Sequence, residues 1–188
     1  MSLSIEEVQK VLEKELPSDV MLYPFSMDLL KVSERVRVKC QIPVCHNYGV
    51  RKVCPPNMPP IAVIREAMQE FEIGFIVVKE IAMRDIPEDY QERIAVRKKL
   101  DCEMLDLVSQ LENALIGAGC DKTLGLGAGG CPLCEKCTPP GEPCRHPFKA
   151  RPGPSAMGID ITELAQKVGI KMEWPPKEKM LIMSMLFV

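Results

Sequence analysis

Apolar residues at Ile5, Val8, Val11 and Leu12 fall on one face of a helix, and Ser4 stands where an N-cap belongs. The spacing predicts a helix over residues 4–15. A short alternating stretch from Val36 to Ile42 reads as a strand that leads into a rigid, irregular segment, residues 43–60, stiffened by Pro43, Pro55, Pro56, Pro59 and Pro60. A helix then follows from Pro60, with Ile61, Ile64, Met68 and Phe71 inward, and EIGFIVVKE reads as a buried strand. The longest pattern runs from Ile86 to Gly117. Its apolar positions Ile94, Leu100, Met104, Leu107, Val108, Leu111 and Leu115 suit an amphipathic helix stopped by Gly117 and Gly119. TLGLG reads as a strand, and residues 132–154 carry seven prolines and admit no regular element. A helix over Thr162–Val168 and an apolar tail, MLIMSMLFV, end the pattern; the tail suits a buried strand and is too short to cross a bilayer.

Helices and strands in alternation predict an α/β or mixed α+β sandwich with some βαβ crossovers. The expectation is a single domain over residues 1–188, with two irregular cysteine-rich metal-binding loops, 40–60 and 129–154, inserted in it.

Composition changes this picture little. The 188 residues are 46% hydrophobic and 27% charged, ordinary for a soluble globular chain. A net charge of −2 and 5% aromatic residues argue against nucleic acid as a partner. No apolar run is long enough to span a membrane, and the acidic N-terminal stretch lacks a signal peptide's apolar core. The expected location is the cytoplasm.

Cysteine changes the picture more. There are nine, an odd number, and thiols in a reducing compartment are more often metal ligands or catalysts than disulfides. The second loop reads Cys131-x2-Cys134-x2-Cys137-x6-Cys144. Three thiols at two-residue spacing wrap one centre tightly, in the manner of the bacterial ferredoxin run that holds a four-iron cubane (4Fe-4S). Structural zinc uses C-x2-C knuckles placed far apart, so zinc is the alternative. The fourth thiol of the cluster is Cys144 or Cys54. The first loop reads Cys40-x4-Cys45-x8-Cys54-Pro55-Pro56, one thiol short of a closed site. Three completions stay open: His46 as fourth ligand of a zinc site, an open iron for an exogenous ligand, or ligands shared between the two loops. Cys102 and Cys120 read as small buried hydrophobes.

Arg37, Lys39, Arg51 and Lys52 surround the first loop; Lys136, Arg145, His146, Lys149 and Arg151 surround the second. They suit an anionic thiolate cluster, an acidic redox partner or an anionic substrate, and equally a solvated surface. Gly125, Gly127 and Gly130 spell G-x-G-x-x-G, but CPLCEKC follows instead of a nucleotide-binding helix. Those glycines read as turns or sites of close approach. With two histidines, each beside a cysteine, no Ser-His-Asp arrangement arises. Asp160 is placed to cap a helix.

The pairing of C-x4-C-x2-Y-G-x4-C-P-P (Cys40 to Pro56, with Tyr48 and Gly49) with the block from Gly130 through C-R-x-P to the GID of Asp160 resembles a prokaryotic family of cysteine-rich, predicted metal-binding proteins of unknown function. The resemblance implies metal binding by these cysteines and supplies no reaction. The leading expectation is an iron–sulfur protein of anaerobic metabolism acting in electron transfer or redox support, with a redox partner protein and no membrane or nucleic acid. The alternatives are an enzyme using an open-site cluster as Lewis acid, with Tyr48, Arg51 and Lys52 lining the site, and a zinc-stabilised interaction module.

Overall fold

A computed structural model describes residues 3–188. Helix α1, Ile5–Glu15, opens on a capping box in which the Ser4 side chain accepts from the Glu7 N–H and the Glu7 carboxylate accepts from the Ser4 N–H. Strand β1, Val20–Ser26, was not expected from the sequence. It contains Pro24, which cannot donate to a ladder, and it lies at the sheet's edge, where that loss is tolerated.

Helix α2, Glu34–Gln41, occupies the stretch whose alternation predicts a strand. The alternation of Arg and Val in RVRVKC is real but is not read out as a sheet face. Ser33 caps the first turn by accepting from the Arg35 N–H at 3.2 Å. Val36 and Arg37 are buried together, while Val38 is 48% exposed. Helix α3, Ile61–Met68, buries Ile61, Ile64 and Met68 as the pattern requires. Strand β2, Ile73–Ala82, is the central apolar strand. Helix α4, Tyr90–Gly117, begins four residues later than its apolar pattern. Asp89 caps it, accepting from the Gln91 and Glu92 N–H groups at 2.9 Å, and a 3-10 turn, Met83–Asp85, precedes Pro87. Strand β3, Leu124–Leu126, helix α5, Ile161–Lys167, and strand β4, Lys179–Phe187, complete the chain close to the expected positions.

The strand order is β1-β2-β4-β3, and every pairing is antiparallel. The βαβ crossovers expected from the alternation are therefore absent from the sheet. Helices intervene between strands, but each return reverses direction. The mixed α and β content is as expected.

Both sheet faces are covered. Phe75, Val77, Ile182 and Leu186 pack with Val8 and Leu12 of α1 and with Met104, Leu111 and Leu115 of α4. On the other face Ile76, Val78, Met185 and Phe187 pack with Ile61, Ile64 and Met68 of α3 and with Leu164 and Ala165 of α5. Period-two alternation along β2 and β4 sends neighbours to opposite cores. No helix among the described residues is long and apolar enough to cross a membrane.

Candidate metal centre

The first cysteine loop is strung between α2 and α3, not behind a strand. Cys40 sits on the last turn of α2, whose end is continued by the Cys45 N–H donating to the Cys40 carbonyl at 3.0 Å. The loop then folds on itself. Tyr48 donates its N–H to the Cys45 carbonyl, Cys54 to the Arg51 carbonyl, and Gly49 to the Pro55 carbonyl, all within 2.9–3.1 Å. These bonds replace regular structure in a stretch that proline denies to helix and sheet.

The second loop leaves β3 and is closed at its neck. The Gly127 N–H donates to the Pro152 carbonyl at 2.9 Å. The chain entering the loop crosses the chain leaving it so closely that a Cβ on Gly153 would stand 2.6 Å from the Gly129 carbonyl oxygen.

The neck is anchored by an ion pair between buried Glu112, which the sequence did not single out, and half-buried Arg151, which it did. The Glu112 carboxylate accepts from the Gly125 N–H at 2.7 Å and from Arg151 Nε and Nη2 at 3.1 and 2.9 Å. Its signal in the sequence is an acid set among the leucines on the inward face of α4. Arg37 makes a comparable fastening. Buried to 8% exposure, it donates to the Ala156 and Pro59 carbonyls at 2.9 Å, joining the exits of both loops.

The two loops meet. Arg51 Nη1 donates to the Cys134 carbonyl at 2.6 Å, and Lys52 Nζ to the Pro139 carbonyl at 3.0 Å. Asn47 lies so near Gly130 that a Cβ there would fall 2.4 Å from Asn47 Nδ2. The basic residues grouped around the loops are thus largely engaged in holding them. Arg145 donates to the Lys136 carbonyl, Arg151 to Glu112, Lys149 to Asp106 and Lys39 to Asp160.

Seven of the nine free thiols lie on these loops: Cys40, Cys45, Cys54, Cys131, Cys134, Cys137 and Cys144. Cys54 is buried and the other six are half-buried. Burial, then the nearby Cys45 and Cys40, push the Cys54 thiol up to about 12; Arg51 pulls against them, and Cys131 of the other loop adds to the rise. Burial also raises Cys131, opposed by the Leu133 N–H and reinforced by Cys137 and Cys144. Cys40 is raised by burial and by Cys45, against Arg37. Cys131 thus feels thiols of both loops, Cys54 of the first and Cys137 and Cys144 of its own. His46, the other candidate ligand, is exposed.

Among the described residues no three His, Cys, Asp or Glu side chains stand in an arrangement ready to hold a metal ion. The fit therefore rests on the donors themselves. They are soft thiols, gathered on two joined loops and supplied with N–H donors, and they suit a thiophilic metal. Such ligands bind as thiolates, so metal uptake at these raised thiols releases protons.

Cys102 stands apart. Burial raises its thiol, and the charges nearest it are Asp106, Lys98, Lys149 and Asp101, none of them a loop thiol. Cys120 is 8% exposed in the core. Asp160 caps α5, accepting from the Glu163 N–H at 3.2 Å, and bonds Lys39.

An open groove of about 1180 Å³ runs from the junction of the loops along the first turns of α4. The cysteine loops line it with His46, Asn47, Arg51, Gly129, Gly130 and Cys131, and α4 with the segment before it lines it with Ile86, Tyr90, Ile94, Arg97 and Asp101. Of these, sequence reasoning singled out His46, Arg51 and Cys131 for chemistry and read Gly130 as a turn or site of close approach.

Two cysteine loops fastened into one thiol-rich surface define the class: a cysteine-rich protein with the donors for a metal centre. Residues 24–188 match the family described as predicted metal-binding protein (DUF2284), and the chain belongs to it. No curated protein matches the chain, and no solved structure does.

Proposed function

We propose that this chain is an iron–sulfur protein. Cys131, Cys134, Cys137 and Cys144 would hold a four-iron cluster, and Cys40, Cys45 and Cys54 would belong to a second metal centre beside it. The observation that carries the reading is the union through Arg51, Lys52 and Asn47 of two loops that carry seven thiols between them. The C-x2-C-x2-C run makes iron–sulfur the leading assignment over zinc. When bound, such a cluster supplies one-electron transfer, which suits electron delivery to a partner enzyme.

The chain's own residues set the conditions for that role. Arg51 places a cation near both Cys54 and Cys131 and offsets thiolate charge. The His146 N–H donates to Cys144 Sγ at 3.4 Å. Donors to ligand sulfur stabilise the anionic state and raise the reduction potential.

The test is iron, zinc and acid-labile sulfide analysis, with a visible spectrum, on protein purified without oxygen. About four irons and four sulfides per chain support one cubane, and about eight of each support a cluster at both loops. Zinc without sulfide, in a colourless protein, overturns the reading and makes the loops structural.

A further inference from the structure

The groove beside the cysteine loops has features that the thiols do not use. Its half-buried charges are Arg51, Arg97 and Asp101, which leave one positive charge in excess. Its exposed charges are Arg93, Lys98, Glu88 and Glu135, which cancel and face water.

Arg97 holds Asp101 through Nε alone, at 2.9 Å, so both of its terminal nitrogens lack an acceptor among the described residues. One of them, Nη2, stands 3.7 Å from where a Cβ on Gly129 would lie, so it reaches the root of the cysteine loop. Asp101 Oδ2 lies 3.9 Å from the same point, so the guanidinium and its carboxylate partner both border Gly129 at ordinary contact distance.

The backbone adds donors at the same place. The N–H groups of Gly129, Gly130 and Cys131 all belong to residues lining the groove, and none has an acceptor among the described residues. Successive free N–H groups beside a guanidinium are the usual elements of an oxyanion site. Beyond this polar end the wall turns apolar, with Ile86, Ile94, Val96 and Met180. A polar anchor at one end of an apolar cleft is the common form of a small-molecule site.

We propose that the groove binds a small organic anion. Its carboxylate or phosphate is held by Arg97 and the Gly129–Cys131 backbone, and its apolar body lies along Ile86, Ile94 and Met180. The bound head group then stands next to Cys131. None of the proposed contacts is made by a thiol, so this inference does not rest on the identity of the metal.

The test is calorimetric titration of the full chain with hexanoate and hexyl phosphate, alongside hexanol and inorganic phosphate. One hexyl anion or both should saturate a single site, and the tighter one names the head group. Hexanol and phosphate should each bind at least about tenfold more weakly, because each lacks one half of the recognition. Arg97→Gln should weaken the preferred anion by about tenfold, one charge-assisted contact being lost; because it also takes the Nε–H donor from Asp101, whose side chain is 15% exposed, its affinity is read at a temperature where circular dichroism shows the variant folded. Asp101→Asn should tighten it, because the competing carboxylate charge is removed. Hexanol binding as tightly as hexanoate, an Arg97→Gln variant of parental affinity, or no saturation by either anion at about 10 mM would overturn the proposal. Iron and sulfide are to be measured on the same samples. A colourless chain that still binds the anion keeps the groove and removes only the cluster.

Discussion

Replacing Arg151 by methionine isolates the anchor of the second cysteine loop. The side chain of Glu112 is 9% exposed and that of Arg151 21%. In the native protein Glu112 receives three hydrogen bonds, two from Arg151 and one from the Gly125 N–H. Arg151→Met leaves a buried carboxylate with one donor. Stranding one partner of a fully buried pair costs about 3–5 kcal/mol. Water reaches the Arg151 side of this pair, which brings the expectation to about 3 kcal/mol. For a chain of this size that lowers the melting temperature by roughly 6–12 °C.

The companion variant, Glu112→Leu with Arg151→Met, removes both charges. It should recover most of the loss and leave about 1 kcal/mol for the Gly125 N–H without its acceptor. Urea unfolding followed by circular dichroism measures all three proteins. Because the Gly127–Pro152 bond lies beside this pair, the single variant should also release bound metal faster than its parent. An Arg151→Met chain within about 0.5 kcal/mol of its parent, or a double variant no better than the single, would refute the anchoring argument.

Arg37→Met should lose about 2–3 kcal/mol by leaving the Pro59 and Ala156 carbonyls without their charged donor; urea unfolding measures it, and an unchanged midpoint contradicts the fastening. At Asp160, burial works to raise the carboxyl, but the Glu163 N–H, Lys39 and Arg35 outweigh it and hold it below its ordinary 3.8. Its contribution is therefore complete above pH 3.8 and is lost as pH falls through the lower folded value, so the stability gap between parent and Asp160→Asn should shrink below about pH 4. A gap that stays constant from neutral to strongly acid solution contradicts this. Stripping metal with a chelator should open residues 40–60 and 129–154 to protease while the sheet keeps its amide protection, because the loops hold few core residues; uniform loss of protection would contradict that separation.

The elements legible in the sequence are those in which one face decides the outcome. Helix α1, helix α3, strand β2 and the C-terminal strand follow directly from apolar spacing and lie close to where that spacing puts them. Helix α2 was misread because valine and arginine alternate along it. Arg37 behaves as a core residue there, its charge satisfied by two carbonyls more than twenty residues away in sequence. Strand β1 was hidden by Pro24, whose permission comes from an edge position that only the assembled sheet defines. The sheet's direction was misjudged for a related reason. Alternating elements are compatible with parallel and antiparallel returns, and which one forms depends on how each helix crosses the sheet.

Residue type and spacing named the cysteines as candidates, but their partnership could not be read from spacing. The two loops are joined by Arg51 to a carbonyl, by Lys52 to a carbonyl, and by an asparagine against a glycine. A backbone carbonyl leaves no mark in a sequence, so nothing in it says which basic residue is a fastener and which is free. That distinction bears on function. Most of the cations around the thiols are already engaged with carbonyls and carboxylates. Arg97 was not grouped with either loop, yet its two terminal nitrogens lack an acceptor among the described residues, and Nη2 lies near the root of the second one. The structure therefore moves the search for an anion from the basic cluster around the cysteines to the wall of α4. Placing a ligand there would set it beside Cys131, at the junction where the two loops meet.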